Sequence, residues 1–479
     1  MARKTIQMFG AGLQGKSPDV TANKLTNAYY EFSPQADRTR VTIYGTPGLT
    51  RLANAGAAPW RGLLSMSGNS RAFGVNDSTL YEIDNGGTLT ARGTLNTIAG
   101  KVCMDTDGTQ ILIVDGRFGY GYDTSTGTFA QIVDTDFPPN QTPALGGPHT
   151  CTYQGGRFVV DINGTGRWAI SDRNDVFAWN ALLTATAEAN PDFLVRVANH
   201  RGRLAFFGEI TTEFWQNVGG AGLPYARVLD ADMEYGLAAR WSLARHNGTL
   251  AFLAKNREGQ VTVMALDGYR PKRISNDEFD SIINSYSTAS DAEGYGYMLG
   301  GHPMYQLNFP AAGKSWLYDA STDYWSELRS GTTRHRAALG TEFVERTLVA
   351  DFEDGRLYRL SKDVFTDDGA TIVTVMRGRH IFDNDLRFRL DRLQLNGQRG
   401  VGDLVNDTTP VAMLRLSKDG GHSFGTEKMA QLGAQGEYDT RTVWRRLGAA
   451  RDVVAEISVS SPVRRVFTSC VISAQQGMS

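Results

Sequence analysis

Short runs of strand-forming residues, separated by polar turns, dominate the pattern of apolar and polar positions along the chain. Four of these runs begin at a glycine, at Gly156, Gly202, Gly248 and Gly294, and successive glycines are 46 residues apart. A unit of this length that holds several strands and tight turns is typical of a β-propeller blade. The spacing therefore predicts small sheets that stack around a central axis.

The pattern extends to both sides of these four units. Strand-like segments with Asn-Gly or Asp-Gly turns recur from Arg61 to Lys362, and such dipeptides favour tight hairpins because they accept positive φ at little cost. Seven units are counted over this range, of which the first and the last are the least regular. The sequence thus predicts an all-β fold with a six- or seven-bladed β-propeller over residues 61–363.

The segments that flank the propeller follow other patterns. Residues 1–60 are predicted to form an irregular N-terminal arm. Residues 364–479 hold at least five strand-like segments without the period, and Leu386, Phe388 and Leu390 alternate there with charged residues, as in a strand with one buried face. Strands of this number and length predict a separate C-terminal domain, a β-sandwich-like platform or a small barrel. One short helix is predicted over residues 180–189, where Ala and Leu are frequent and Pro191 follows.

Composition narrows the functional classes. The chain has 49 Lys and Arg against 51 Asp and Glu, a net charge of −2, which argues against a protein that coats nucleic acid through bulk charge. No apolar run reaches the length of a membrane span. The three cysteines, Cys103, Cys151 and Cys470, are scattered and odd in number, so reduced thiols are expected.

No catalytic, cofactor-binding or metal-binding site is predicted. The histidines lack metal-ligand spacing with each other or with cysteine, and no Gly-x-Ser-x-Gly elbow is present. The segment from Gly10 to Ser17 matches the phosphate-loop pattern, in which Lys16 would contact phosphates. Pro18 follows at once and no alternation of strands and long helices comes after it, so a flexible glycine loop is the favoured interpretation and an ATPase the remote one.

One stretch supports an alternative function. Residues 417–424, Ser-Lys-Asp-Gly-Gly-His-Ser-Phe, are similar to the Asp-box hairpin of sialidase propellers, where the motif shapes a turn away from the active site. It occurs here once and outside the repeats. A carbohydrate-binding or sialidase-like propeller that acts on host surface glycans therefore stands as the alternative.

The C-terminal domain carries a candidate interface. Trp444 is followed by Arg445 and Arg446, with Arg451 close behind. Arginine beside tryptophan is typical of an interface anchor, since guanidinium groups form forked hydrogen bonds and stack on rings. Contacts with protein are favoured over contacts with DNA phosphates because acidic residues are interleaved throughout this domain.

Taken together, these segments resemble the tail nozzle proteins of short-tailed bacteriophages, also called tail accessory factors or packaged-DNA stabilisation proteins. The resemblance covers most of the chain and rests on residues 17–31, 44–49, 190–192, 200–202, 207–209, 212–215, 234–236, 443–448, 451 and 460–463. Within these segments, Tyr29, Tyr30, Glu213 and Trp215 join the candidate interface residues.

The resemblance implies a structural virion protein and not an enzyme. It implies a homohexameric ring below the portal and its adaptor, which extends the channel for double-stranded DNA without sequence-specific binding and retains the packaged genome. Tail fibres or spikes and a plug or needle are the other implied partners. The implied location is the virion tail, assembled in the host bacterial cytoplasm, and no cofactor is implied.

Overall fold

The computed structural model describes residues 2–6, 13–33, 41–66, 71–187, 192–220, 222–383, 386–402 and 408–476. The N-terminal 60 residues contain five strands. These are β1 (Ala2–Ile6), β2 (Lys24–Thr26), β3 (Ala28–Phe32), β4 (Val41–Gly45) and β5 (Gly48–Asn54). An irregular arm is predicted from the sequence; the structure differs because β1, β2, β4 and β5 pair with remote parts of the chain, and β3 pairs with β4.

Seven antiparallel sheets follow in sequence. Blade 1 contains β6 (Trp60–Ser65), β7 (Ala72–Asn76), β8 (Thr79–Ile83) and β9 (Leu89–Thr94). Blade 2 contains β10 (Cys103–Thr106), β11 (Gln110–Val114), β12 (Gly119–Asp123) and β13 (Phe129–Gln131), followed by the short helix α1 (Pro138–Gln141) and a 3-10 turn (Pro143–Leu145). Blade 3 contains β14 (Cys151–Gln154), β15 (Arg157–Asp161), β16 (Arg167–Ser171) and β17 (Trp179–Thr186).

The remaining blades continue the order. Blade 4 contains β18 (Leu194–His200), β19 (Arg203–Gly208), β20 (Thr212–Asn217) and β21 (Tyr225–Arg227). Blade 5 contains β22 (Gly236–Leu237), β23 (Ala244–His246), β24 (Thr249–Lys255), β25 (Val261–Asp267) and β26 (Arg270–Arg273), with a 3-10 turn (Arg240–Ser242) before β23 and helix α2 (Asp277–Ile283) after β26. Blade 6 contains β27 (Glu293–Leu299), β28 (His302–Phe309), β29 (Lys314–Asp319) and β30 (Tyr324–Ser330), with β31 (Thr333–Arg334) on β30. Blade 7 contains β32 (Ala337–Phe343), β33 (Arg346–Asp351) and β34 (Arg356–Ser361).

The arm strand β5 closes the ring. It pairs antiparallel with β34, from Gly48 opposite Ser361 to Asn54 opposite Arg356, and is thus the fourth strand of blade 7. The chain then runs directly into β6 of blade 1. Because one sheet holds strands from both ends of the propeller, the ring is closed by backbone hydrogen bonds, and its blade number is seven.

The core of the propeller lies between the blades. Seven apolar clusters of buried residues each join two neighbouring blades, and the last joins blade 7 to blade 1. Between blades 3 and 4, for example, the rings of Trp168 and Phe206 stack at 4.6 Å. A four-stranded sheet cannot bury both faces alone, so each blade depends on two neighbours.

The 46-residue spacing marks equivalent positions in three units and not in the fourth. Gly156, Gly202 and Gly248 have φ of 87°, 76° and 72° at the turn between the first two strands of a blade. Gly294 lies instead inside strand β27, where a Cβ would come 2.6 Å from the Ser242 carbonyl oxygen. The equivalent turn in blade 6 is at residues 300–301.

The prediction of a helix over residues 180–189 is wrong. Trp179–Thr186 forms strand β17, whose Thr184, Ala185 and Thr186 lie opposite β16; residues 188–191 lie outside the described chain. The helix preference of Ala and Leu is a few tenths of a kcal/mol per residue. The open edge of β16 offers backbone hydrogen bonds and lets Leu183 pack into the cluster between blades 3 and 4, which outweighs that preference.

The C-terminal region forms a β-sandwich. Two short strands, β35 (Thr366–Asp367) and β36 (Ala370–Thr371), first extend the sheet of blade 7. The sandwich strands are β37 (Thr374–Arg377), β38 (Ile381–Phe382), β39 (Phe388–Gly397), β40 (Val411–Ser417), β41 (Lys428–Gln431), β42 (Thr442–Ala450), β43 (Asp452–Val459) and β44 (Val466–Gln476). One sheet has the order β3-β4-β44-β39-β42 with β1 on β44, and the facing sheet has the order β2-β37-β43-β40-β41 with β38 on β43. A single apolar cluster, which includes Leu393 and Trp444, fills the space between them.

Crowding at Gly48 should make the closing strand sensitive to one methyl group. A Cβ at Gly48 would lie 2.5 Å from the Thr366 carbonyl oxygen and 2.6 Å from that of Val364. We expect Gly48→Ala to lower the free energy of unfolding by about 2 kcal/mol, as overpacking does, measured by urea denaturation with tryptophan fluorescence. Gly222→Ala is the matched control, because no atom lies within 4 Å of its Cβ position. Equal midpoints for the two variants would contradict this account of the ring closure.

Candidate assembly surfaces

The arm strand β2 joins the propeller to the sandwich. It runs parallel to β30 of blade 6, with Thr26 opposite Glu327, and antiparallel to β37, with Lys24 opposite Arg377. The edge of β30 is otherwise paired only with the two-residue strand β31, and β37 otherwise pairs only with β43, so β2 satisfies backbone groups on both. A continuous sheet therefore runs from blade 6 into the sandwich.

Asn27 fixes this junction with its side chain. Its amide nitrogen donates to the carbonyl oxygens of Arg329 and Val373, both at 3.0 Å, and its amide oxygen accepts from the Arg329 N–H at 2.8 Å. The Thr374 hydroxyl donates to the Asn27 carbonyl oxygen at 3.2 Å. Its φ of 53° is a conformation that asparagine tolerates better than most residues. One buried side chain thus connects the arm, blade 6 and the sandwich.

Glu327 is the acidic centre of the same junction. Its carboxylate lies 3.2 Å from Lys24 Nζ, 3.1 Å from Lys314 Nζ and 2.7 Å from Arg329 Nε. Burial opposes ionisation of Glu327, but the three cations outweigh it and hold the pKa of the carboxyl below its ordinary value of 4.5. Burial also lowers the pKa of Lys24, against the attraction of Glu327.

Upstream of β2, the arm rests on the Asp-box turn of the sandwich. His380 lies between two oxygens, with Nδ1 2.6 Å from Asp452 Oδ2 and Nε2 2.8 Å from the Pro18 carbonyl oxygen. His422, inside the Asp-box, places Nε2 3.1 Å from Asp19 Oδ1. The arm segment at residues 18–19 is therefore held by polar contacts from two loops of the sandwich.

The Asp-box itself is a structural turn. The Ser417 hydroxyl donates to Asp419 at 2.6 Å and accepts from the Gly421 N–H at 2.8 Å. Asp419 accepts further hydrogen bonds from Ser423, and with that of Ser417 these hold the pKa of its carboxyl well below the usual range. The Arg377 guanidinium packs over the Phe424 ring, with its Cζ atom 4.4 Å from the ring centroid.

A groove of about 780 Å³ lies beside this contact, between the arm, the start of α2 and the sandwich. Val20 and Phe382 on its walls are 78% and 67% exposed. Two exposed arginines, Arg379 and Arg451, stand on the sandwich side. Three carboxylates also line the groove, so its surface is apolar with mixed charge, as in the rim of a protein interface.

The candidate interface residues of the C-terminal domain divide into two groups. Trp444 is only 2% exposed, packs in the sandwich core and donates from Nε1 to the Lys428 carbonyl oxygen at 2.6 Å. Its side chain is therefore a core element and not a surface anchor, because β42 turns this face inward. Arg445, Arg446 and Arg451 are exposed.

Most of the other candidates lie inside the fold. Tyr30 is 5% exposed in the sandwich core and packs on the Tyr324 ring at 5.2 Å. Tyr29 is partly buried and packs against Tyr44 and His302; burial raises its pKa to about 12.

Glu213 and Trp215 lie apart from these residues, in strand β20 of blade 4. Glu213 is 2% exposed and accepts from Trp215 Nε1 at 3.1 Å. The Trp215 ring packs edge-on against Trp168 of blade 3, with centroids 5.3 Å apart. The structure thus brings Tyr29 and Tyr30 near the junction and places the blade 4 pair elsewhere.

A second cavity, of about 580 Å³, lies on the propeller axis. It is lined by the inner strands of several blades and includes Arg61, Lys101, Arg196, Trp241 and Glu342. Arg61 is fully engaged, since its guanidinium donates to the carbonyl oxygens of four residues and to one hydroxyl. Sequence patterns did not indicate this cavity, because its walls come from strands that are far apart along the chain.

Two kinds of feature are absent from the described ranges, a metal-binding cluster and a membrane-spanning helix. No group of three or more His, Cys, Asp or Glu side chains there could hold a metal ion. Within the same ranges, none of the helices has the length and apolar character needed to span a membrane. The structure describes the phosphate-loop match only from Leu13 onward. There the Ser17 carbonyl oxygen accepts hydrogen bonds from the N–H groups of Val20 and Thr21, and a turn begins. A phosphate loop instead leads into a helix whose N-terminus faces the phosphates.

Comparison with known proteins places the chain in a family. A family model described as "Bacteriophage P22 Gp10, beta-propeller" matches residues 7–365, and one described as "Bacteriophage P22 Gp10, beta-sandwich" matches residues 374–475. "Tail hub protein gp10" of Salmonella phage P22 is 23% identical over 427 residues, which cover 83% of this chain and 86% of that protein.

Similarity to solved structures is weaker. The extracellular domain of a hybrid two-component system from B. thetaiotaomicron has a TM-score of 0.45 at 9% identity, covering 83% of this chain and 47% of that one. The WD40 domain of Neurospora crassa Pan2 has a TM-score of 0.42 at 9% identity, and the match covers 66% of this chain and 95% of that domain. Scores at this level carry no functional argument.

The described chain is a closed seven-bladed β-propeller joined to a β-sandwich. The chain belongs to the bacteriophage P22 Gp10 family, whose two models match its two parts in order. Membership in this family makes the chain a structural protein of a phage tail.

Loss of the Asn27 side chain should weaken the junction. Asn27→Ala leaves the Arg329 and Val373 carbonyl groups and the Arg329 N–H without their partner, and we expect a loss of about 3 kcal/mol in the free energy of unfolding. The measurement is urea denaturation at neutral pH. Asn174→Ala is the matched control, because Asn174 has a similar φ of 55° but is exposed. A loss of the same size in both variants would show that backbone strain, and not the junction, is responsible.

The Glu327 cluster should make the junction sensitive to acid. A carboxyl whose pKa is depressed in the folded state stabilises that state above its unfolded pKa, and this contribution is lost as pH falls through the folded pKa. We expect Glu327→Gln to cost roughly 2 kcal/mol at pH 7, with the difference from the natural chain shrinking below pH 4.5. Unfolding is measured in urea from pH 7 to pH 3.

The control for this series is Glu345→Gln, which changes an exposed carboxylate and should leave stability within about 0.5 kcal/mol throughout. A Glu327→Gln difference that stays constant from pH 7 to pH 3 would refute the role given to this carboxylate.

Proposed function

We propose that this protein is the hub, or nozzle, subunit of a short-tailed phage tail, and that six copies form a ring which extends the DNA channel below the portal and its adaptor. The observation that carries the proposal is the ordered match of both domains to the Gp10 family, together with alignment over 83% of the chain to a tail hub protein. In this role the protein is not an enzyme and uses no cofactor.

The architecture suits the wall of a channel that must keep its shape. The propeller ring is closed by β5, and the arm joins blade 6 to the sandwich through β2. Both units are therefore connected by backbone pairing as well as by the covalent chain. Because closed rings leave few free strand edges, copies can pack side by side with little tendency to add strands at random.

The charge balance suits passage of DNA. With a net charge of −2, the protein lacks the basic excess that binds duplex phosphates without sequence preference. Six copies would enclose a channel through which double-stranded DNA slides without being held. Retention of the packaged genome then depends on a plug or needle that closes the ring, and tail fibres or spikes dock on its outer surface.

We assign contacts between copies to the sandwich surface around Arg445, Arg446 and Arg451. These residues are exposed, and Trp444 beneath them anchors β42 in the core. Forked guanidinium groups recognise carboxylates on a neighbouring copy with defined geometry. Tyr29 and Tyr30 lie on β3, at the opposite edge of the same sheet from β42, and pack near the junction, whereas Glu213 and Trp215 stabilise blade 4.

Electron microscopy of the purified protein, alone and mixed with the adaptor ring of the same phage, tests the proposal. Six-fold rings that attach coaxially to the adaptor are the expected result. A chain that stays monomeric in both samples and is missing from purified tails would overturn it. Release of sugar from host lipopolysaccharide would favour the glycan-acting alternative.

The assigned contact surface makes a separate prediction. Arg445→Glu combined with Arg451→Glu reverses charge at exposed positions and should raise the concentration at which rings form at least tenfold, measured by light scattering with the adaptor present. Arg173→Glu combined with Arg257→Glu changes the same number of exposed charges on the propeller and should leave ring formation unchanged. Equal effects from both pairs would indicate a general charge effect and would disprove the assignment.

A further inference from the structure

Two buried thiols meet at the boundary between blades 2 and 3. Cys103 begins β10 and Cys151 begins β14, the first strands of their blades. The Cys103 Sγ atom lies 3.4 Å from the Cys151 backbone nitrogen and 3.6 Å from its carbonyl oxygen. The Cys151 Sγ atom in turn lies 3.8 Å from the Leu112 carbonyl oxygen of blade 2. Both thiols thus lie in the same contact between the two blades, an arrangement that rotation of the side chains can convert to a disulfide.

One of these thiols faces the axial cavity. Cys103 is 8% exposed and lines the cavity together with Arg196 and Trp241. Cys151 is 5% exposed and packs behind it in the cluster between blades 2 and 3. Cys470 is fully buried in the sandwich core. A small molecule that enters the cavity therefore reaches Cys103 first.

The electrostatic setting distinguishes the two thiols. The hydrogen bond from Cys151 lowers the pKa of the Cys103 thiol, the Arg196 guanidinium lowers it further, and burial opposes both effects. Burial raises the pKa of the Cys151 thiol. Because Cys103 lines the cavity and Cys151 does not, Cys103 is the thiol whose thiolate attacks a small disulfide, and Cys151 attacks the mixed disulfide that results.

We propose that Cys103 and Cys151 form a dithiol site that reacts with low-molecular-weight disulfides in the axial cavity and closes to a disulfide between blades 2 and 3. The Cys103 thiolate attacks one sulfur of the small disulfide, whose S–S bond breaks and releases one thiolate. Cys151 then attacks Cys103 Sγ in the mixed disulfide and displaces the second thiolate. The two protein thiols are oxidised, the small disulfide is reduced to two thiols, and these take up the two protons from the cysteines.

Closure would link two blades that are otherwise joined by side-chain packing and by the chain. The bond would span 48 residues of sequence and would restrict the unfolded chain accordingly. All three cysteines are free in the structure. An oxidising medium that contains small disulfides would convert this pair and leave Cys470 reduced.

The test uses the full-length protein, reduced, desalted and incubated in the folded state with bis(2-hydroxyethyl) disulfide. Thiols titrated after denaturation should fall from three to one, and the intact mass should decrease by two hydrogen atoms. Peptide mapping without reductant should recover Cys103 linked to Cys151, and the urea midpoint of the oxidised protein should shift upward. Retention of all three thiols, or a link that appears only in urea, would overturn the proposal.

Single variants assign the roles. In Cys151→Ser, the reaction should stop at a mixed disulfide between Cys103 and the small molecule. In Cys103→Ser, the remaining thiols should stay unmodified. Cys470→Ser should form the Cys103–Cys151 disulfide as the natural chain does. A mixed disulfide that accumulates on the natural chain without closure, or modification of Cys151 in Cys103→Ser at the natural rate, would contradict the proposal. If a variant fails to fold, the peptide map of the natural chain decides alone. Six-fold ring formation is measured separately, so failure of this site leaves the proposed tail function untouched.

Discussion

Backbone pairing between the N-terminal arm and distant strands is the constraint on which this structure depends. Strand β5 completes blade 7, and β2 bridges blade 6 and the sandwich. Without these strands, the edges of β34, β30 and β37 would lose their hydrogen-bond partners, at a cost that apolar packing does not recover. The arm therefore converts a row of seven sheets and a separate sandwich into one connected body, with Asn27 and Glu327 fixing the position where they meet.

This connection explains how the protein can serve as a tail component. In the proposed ring, each copy must keep its shape under load, and that shape is set by the cores between blades and by the pairing of β5 and β2 with distant strands. The sandwich presents exposed arginines and a groove beside the junction, whereas the axial cavity of the propeller is enclosed by its own blades. The proposed contacts between copies and the proposed dithiol site thus lie on different surfaces.

Sequence reasoning located part of the candidate surface. Arg445, Arg446 and Arg451 are exposed, but Trp444, Tyr30 and Glu213 are buried. An aromatic residue next to arginine has the same local pattern in a core and at an interface, and only the facing sheet determines which side of β42 is inward. Sequence patterns did not identify Asn27 or the Cys103–Cys151 pair for a related reason, because the residues that contact them are remote along the chain.

The sequence by itself determined the propeller, the sandwich and the family, because strand periodicity, turn dipeptides and motif order are local properties. It left the blade number open and predicted a helix over residues 180–189, where the structure has the strand β17. Only the tertiary structure decided these points, together with the position of Gly294 inside a strand. The physical reason is that a strand takes its identity from its hydrogen-bond partner, and the partner of β5 lies about 300 residues away.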